Sequence, residues 1–242
     1  VVSSGKKILI CQSGDTMVKN QHSGRGLFTQ LAKKTYTLCK NKKIKAVFGF
    51  PSYTSYYGFV KNLDWIHKEN LCKFQFFIFT YPLAFLLYKF NFLTKIHFKF
   101  VKFILNFFPS GKIFNSSTSV NNDDVVYRDK FFWQYKLLNK DVFLIKISNC
   151  DVALKINKYI EIGDINYKSS KDLKKIIRNI QLVGFILGIN IIRFYCSPSC
   201  RIEKDLKFIK SPSKGLPIGY RSFSSDCDIS KVKYTYLDMD TF

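Results

Sequence analysis

From Leu27 onward, apolar positions recur three and four residues apart, at Leu27, Phe28, Leu31, Ala32, Thr35 and Leu38. This spacing predicts an amphipathic helix of about three turns that ends near the stretch Asn41, Lys42, Lys43. Its other face carries Lys33, Lys34 and Lys40. Upstream, KKILICQ (residues 6–12) is a short apolar run after the turn-like SSGK, so Val1–Val2 and Lys7–Cys11 read as a hairpin entering a sheet. Downstream, KAVFGF (45–50) is a continuous apolar run closed by Pro51, the pattern of a buried strand. Thr54–Leu63 then reads as a second short helix, stopped by the turn-like NLDW. The order is strand, glycine turn, helix, strand, helix, which predicts an α/β fold.

The pattern changes after residue 72. Phe74–Phe108 is dense in Phe, Ile and Leu, but its longest uncharged run, Phe74–Tyr88, is too short to span a bilayer and contains Pro82. Beyond Lys89, lysines at 95, 99 and 102 alternate with apolar residues. That suits either a basic amphipathic helix on an anionic surface, through residues 89–108, or a packed connector whose lysine stems snorkel to water. Ser116–Asp124 is polar and turn-rich and reads as a boundary. After it, DVFLIKIS and DVALKINKYIEIGDI read as strands joined by a turn at Asn149 and Cys150. SSKDLKKIIRNIQLVGFILG reads as a capped helix and INIIRFYC as a buried strand. SKGLPIGYRSF and KVKYTYLDMD read as the final strands.

Composition narrows the function classes. With 242 residues and 47% hydrophobic content the chain can bury a sizeable core, so disorder is excluded as a description of the whole. The net charge of +22 comes from 39 Lys and Arg against 17 Asp and Glu, and only six of the 39 are Arg. Readers of nucleic-acid bases lean on the arginine fork. No ordered ladder of Arg and aromatics is present, so nucleic acid is not the expected partner and a basic RNA-binding module is a remote alternative. Seven scattered cysteines, mostly among apolar neighbours, suit reduced thiols in a cytoplasmic protein. Cys196 and Cys200 have no second Cys or His pair nearby, so no metal site is expected. The opening VVSSGKKILI has neither Met nor a signal pattern, and the chain reads as a fragment whose beginning lies upstream.

Ser23, Gly24 and Gly26 stand directly before the first helix. A helix start leaves backbone N–H groups unsatisfied and carries partial positive charge, so a glycine turn there can wrap a phosphate or serve as an ordinary turn. The surrounding residues bear on the choice. DTMVKNQHSGRGLFTQLA resembles the acetyl-CoA-binding motif of GCN5-related N-acetyltransferases (GNATs): a strand, a short loop, Arg or Gln, Gly, any residue, Gly, then an aliphatic residue and a small one. From Val18, this chain supplies Ser23, Gly24, Arg25, Gly26, Leu27 and Phe28. It departs from the pattern at Ser23, where Arg or Gln is usual, and at Phe28, where a small residue is usual. The GLF reading resembles a bacterial branch found with cell-surface polysaccharide genes. GFPSYTSYYGFVKNLDW (49–65), RDKFFWQYKL (128–137) and the paired aspartates of YLDMDTF (236–242) are similar to later segments of that branch.

The resemblance implies a GNAT-type mixed sheet flanked by helices. Residues 1–72 would be the C-terminal part of an acetyl-CoA-binding domain, 73–124 a connector, and 125–242 a second GNAT-like lobe that shapes the acceptor cleft. It implies acetyl transfer to an amine of a small acceptor, such as a nucleotide- or lipid-linked amino sugar, by direct attack. Backbone N–H groups of Gly24, Arg25, Gly26, Leu27 and Phe28 would hold the pyrophosphate beside Ser23, while Met17 and Val18 would pair with the pantetheine arm. The tyrosine that many members use as acid falls at Val60 here, so Tyr56 and Tyr57 are the substitute candidates, with packing as their competing reading. Asp15 is the candidate base, or a turn cap. A catalytically inactive fold that binds an anionic partner or membrane surface is the alternative.

Overall fold

A computed structural model describes residues 1–3, 5–14, 17–22, 24–118, 124–225 and 227–242, with Asn20 and Asn91 described by backbone alone. The chain opens with a hairpin in which β1 (Val2–Ser3) and β2 (Lys6–Lys7) pair across a turn at Gly5, where φ is +76°. This hairpin stays apart from the main sheet, contrary to the sequence expectation. The strand that enters the sheet is β3 (Cys11–Ser13), parallel to β4 (Ala46–Gly49).

Between them runs α1 (Leu27–Asn41), the helix expected from periodicity, but with its buried stripe rotated. Tyr36 and Cys39 are buried, with Phe28 and Ala32 packed beside them, whereas Leu31 and Leu38 are more than half exposed. The stripe at 28, 32, 36 and 39 is still helical. It is set by Tyr36, whose hydroxyl accepts from Trp65 Nε1 at 2.8 Å. After β4 comes α2 (Tyr53–Leu63), capped by Ser52, whose Oγ accepts from the Ser55 N–H.

β5 (Ile66–Phe77), α3 (Leu83–Leu87), α4 (Asn91–Leu105) and α5 (Lys130–Leu137) follow. Next are β6 (Val142–Ile147), β7 (Cys150–Ile156), β8 (Ile160–Asn166), α6 (Ser170–Ile186) and β9 (Ile191–Cys196). The chain closes with α7 (Arg201–Lys207), β10 (Ser213–Ser222) and a 3₁₀ turn at Tyr236–Asp238. The β6–β7 turn is made by Ser148 and Asn149, both at positive φ as a type I′ connection requires. Eight strands form one mixed sheet in the order β3, β4, β10, β5, β9, β8, β7, β6, parallel at β3/β4 and β8/β9.

The predicted divisions at 72 and 124 do not separate units of this sheet. Residue 72 lies inside β5, which pairs with β10 over Ile66–Lys73 and with β9 over Cys72–Phe77. Of the polar stretch 116–124, residues 119–123 lie outside the described residues; before them, Thr118 is buried and the Ser117 N–H and hydroxyl both donate to Asp164. KVKYTYLDMD is not a strand; among the described residues it makes only isolated bridges, at Lys233 and Thr235, before the 3₁₀ turn.

Apolar side chains on one sheet face pack under α3, α4, α6 and α7. The other face packs against Trp133 of α5 and the C-terminal segment, including Tyr236, Leu237 and Phe242. Within that second layer lies a buried ionic cluster. Arg128 Nη1 donates to Asp164 at 2.5 Å, Nε and Nη2 donate to Asp238 at 3.0 and 2.9 Å, and Nη2 also donates to Thr235 at 2.8 Å. All three charged side chains are closed to water, and together they fasten the C-terminal segment to β8.

Candidate functional site

The site begins where β3 and β4 part. Their pairing runs from Cys11 and Val47 to Ser13 and Gly49, and beyond that point a cavity of about 420 Å³ opens between the two strand ends. Ser13, Gly14 and Val18 line one side, and Gly49 to Ser52 and the first turns of α2 line the other. A Cβ on Gly49 would meet the Ser13 carbonyl at 3.0 Å and the Trp65 ring at 3.2 Å, so glycine is what lets β4 bend past β3 here. A second cavity of about 230 Å³ runs along α1, lined by Cys11, Gln12, Leu31, Tyr36 and others. Both cavities share Ser13, Gly14, Val18, Phe28 and Phe59, and the Phe28 ring packs edge-on to Phe59 at 5.0 Å. Phe28, which departs from the small-residue pattern, therefore forms a wall common to both.

The N-terminus of α1 is at the same place, since Phe28 is in its first turn. Gly26 is the N-cap at φ +69° and Gly24 sits at φ +79°, the left-handed region that glycine adopts without strain. Gly26 brings no side chain to cap the helix and the first turn holds no acid, so this end presents bare N–H groups. Gly24, Arg25 and Gly26 are exposed. Gln12 adds a further feature: its Nε2 is buried without a partner among the described residues, on the wall of the second cavity. Such an orphaned donor costs stability unless a ligand takes it.

The structure repositions several predicted residues. Met17 and Val18 do not continue a strand, because β3 ends at Ser13. Val18 is half-buried and lines both cavities, whereas Met17 is mostly exposed and lines the smaller one. Leu27 is half-buried at the helix start. Asp15 and Ser23 lie outside the described residues. Tyr56 and Tyr57 do not line either cavity. Tyr56 packs edge-on to His67 at 5.4 Å, and desolvation there raises its hydroxyl pKa, while Tyr57 is 64% exposed under Lys61. The α2 positions that face the cavity are Thr54, Ser55, Gly58 and Phe59. The sequence carried part of this signal: Ser55 lies three residues before Gly58 and four before Phe59, which groups them on one helix face, and Tyr57 falls on the other; Tyr56, three residues before Phe59, sits at the edge of that face, and spacing alone does not separate it.

Two groups at this cavity were not singled out from the sequence. One is a hydroxyl cluster, in which Ser52 Oγ lies 2.8 Å from Thr54 Oγ1 and 2.9 Å from Ser55 Oγ. The other is Asp240, the one carboxylate among the described residues lining the cavity. Its side chain lies so close to Gly14 that a Cβ there would collide with it. Asp238, its partner in the aspartate pair, instead belongs to the buried arginine cluster. Lys136 secures this segment by donating to the Met239 carbonyl, and burial pushes its ammonium down to about 8. An arrangement of uncapped helix start, cavity, hydroxyls and carboxylate can hold an anionic chain at one end and take a proton at the other.

Comparison with known proteins meets the site at this point. Residues 1–65 match the acetyltransferase (GNAT) domain family. That GNAT match spans the helix start, both glycines, the parting strands and α2. A comparison by sequence with curated proteins finds no match. Among solved structures, a GCN5-related N-acetyltransferase from Kribbella flavida aligns at 11% identity and TM-score 0.47, covering 87% of this chain and 52% of its own. A presumed acetyltransferase from Pyrococcus horikoshii aligns at 13% identity and TM-score 0.48, covering 95% and 71%. The chain thus spans about half the length of the first of these structures. No group of His, Cys, Asp and Glu that could hold a metal occurs among the described residues, and none of the seven cysteines is joined in a disulfide.

Proposed function

We propose that this protein is an acyl-CoA-dependent N-acyltransferase that acetylates an amine of a small acceptor, such as an amino sugar. The observation that carries this reading is the uncapped start of α1, with two left-handed glycines, opening onto the cavity where β3 and β4 part. Acetyl-CoA would supply an activated thioester. The residues present fit such a group: backbone N–H groups of residues 24–28 for its pyrophosphate, Arg25 at the rim, and the orphaned Gln12 amide for a carbonyl of its arm. Asp240 is placed to accept a proton from the acceptor amine, and the Ser52, Thr54 and Ser55 hydroxyls to donate hydrogen bonds within the cavity. Calorimetric titration with acetyl-CoA tests the reading: saturable binding is expected, and its absence overturns it. With an amine acceptor in hand, Asp240→Asn is expected to lower kcat about 100-fold, as loss of a general base does, with acetyl-CoA affinity unchanged. An unchanged kcat removes Asp240 from the mechanism.

The acceptor belongs at or near a membrane in this reading, which would suit a lipid-linked sugar. No helix of the described residues is long and apolar enough to cross a bilayer. α4 buries His97, Val101 and Leu105 in the core yet leaves Phe92, Phe100 and Phe103 exposed beside Lys95, Lys99 and Lys102. Phe77, Phe79 and Tyr81 are exposed as well, and no acid occurs between Glu69 and Asp123. Aromatic and cationic side chains on one surface suit an anionic membrane interface. Sedimentation with phosphatidylglycerol vesicles is expected to exceed that with phosphatidylcholine vesicles. It should fall with salt and drop about tenfold in a Phe92→Ser, Phe103→Ser double variant. Equal sedimentation with both vesicles, unaltered in that variant, removes the membrane from the proposal.

A further inference from the structure

At the turn between β7 and β8, a third and more open cleft of about 520 Å³ is lined by Tyr88, Asn157, Lys158, Tyr159, Glu161 and Arg193. None of these lines the cavity between β3 and β4. Two cations converge here on one phenol: the Arg193 guanidinium lies 3.6 Å and the Lys158 ammonium 5.1 Å from the Tyr159 ring centroid. Tyr159 is itself fixed, its N–H donating to Asn157 Oδ1 at 3.0 Å in the turn between β7 and β8. Arg193 Nε is buried with no hydrogen-bond partner among the described residues. Neither cation makes an ion pair with any described acid. The ring attracts each cation separately, but it does nothing for their mutual repulsion and gives the guanidinium N–H groups no acceptor. A bound oxyanion would answer both. Glu161, whose carboxylate accepts from Tyr236 Oη at 2.7 Å, adds an acceptor to the same cleft.

We propose that this cleft is a binding site for a small molecule that carries a carboxylate or phosphate together with an ammonium or hydroxyl donor. Arg193 and Lys158 hold the oxyanion and Glu161 receives the donor. The site does not depend on the acyl-transfer reading, since it shares no lining residue with that cavity. Calorimetry with inorganic phosphate, O-phosphoethanolamine and β-alanine distinguishes the two anion classes. Saturable binding of at least one ammonium-bearing probe, tighter than inorganic phosphate, is expected. That binding should weaken at least tenfold in Arg193→Met and in Lys158→Gln, each losing a charge-assisted contact, and should be unchanged in Lys171→Gln. Because the chain is strongly basic, Lys171→Gln measures general charge attraction, and equal weakening there overturns the site. Lack of saturation by all three probes, or binding indifferent to Arg193→Met, overturns it too. Lys158 lies on an exposed turn, so its variant keeps the test valid if Arg193→Met does not fold.

Discussion

Gly58→Leu is expected to abolish measurable acetyl-CoA binding while leaving the melting temperature at or above that of the unaltered protein. Gly58 lies within α2 at ordinary helical geometry and lines the larger cavity. A Cβ there would meet Phe28 Cε1 at 3.5 Å, an ordinary contact, so the first carbon is accommodated. The remaining leucine carbons would project into the space that the proposed arm occupies. Replacing an interior helical glycine by a good helix former favours the helix by about 0.5–1 kcal/mol. Loss of binding without loss of stability separates a blocked site from a damaged fold. Gly26 is a less informative target, because its φ of +69° makes any side chain strained wherever it points. Thermal shift and calorimetry on the same preparation check both halves, and retained affinity in Gly58→Leu would place the ligand elsewhere.

Arg128→Met should be among the most destabilising single changes in the chain, costing about 3–5 kcal/mol in urea titration, a large share of ordinary domain stability. The guanidinium is the common partner of two buried carboxylates, Asp164 and Asp238, and methionine would fill its volume while leaving both charges uncompensated. The loss should depend on pH. Burial raises the Asp238 carboxyl above its usual range, and Arg128 opposes that rise. Asp238 therefore contributes stability at low pH that is lost as pH climbs from its unfolded value through its folded one. Without Arg128 the folded value rises further, so the deficit relative to the unaltered protein should shrink toward acid and grow toward neutral pH. A deficit below about 1 kcal/mol at neutral pH would mean that the cluster is not closed to water.

Local patterns carried the elements well where they are strongly periodic. α1, β4 and α2 stand where the spacing of apolar residues puts them, because each buries one face against near neighbours. The same patterns misplace the stripe of α1, where Leu31 and Leu38 resemble core residues but Tyr36 and Cys39 are the ones covered. Which face wins there depends on Trp65, which lies far along the chain. Strand pairing was less legible for a related reason. β10 looks like a closing strand of its own half, and nothing in SKGLPIGYRS states that Gly219 will pair with both Gly49 and His67. At the candidate site, the glycines and Phe28 could be found from their motif. Asp240 could not be told from Asp238 without knowing that Arg128 claims only the latter.

The place of β10 has a consequence for biosynthesis. Residues 213–222 are hydrogen-bonded between β4 and β5, so one edge of β4, a wall of the proposed acyl-CoA cavity, and the facing edge of β5 stay unpaired until that late segment has been made. Closing so long a loop is slow, and open strand edges invite association with other chains. β4 and β5 thus wait for a strand made long after them, and a ribosome that stalls before β10 leaves two open strand edges where the continuous sheet should be.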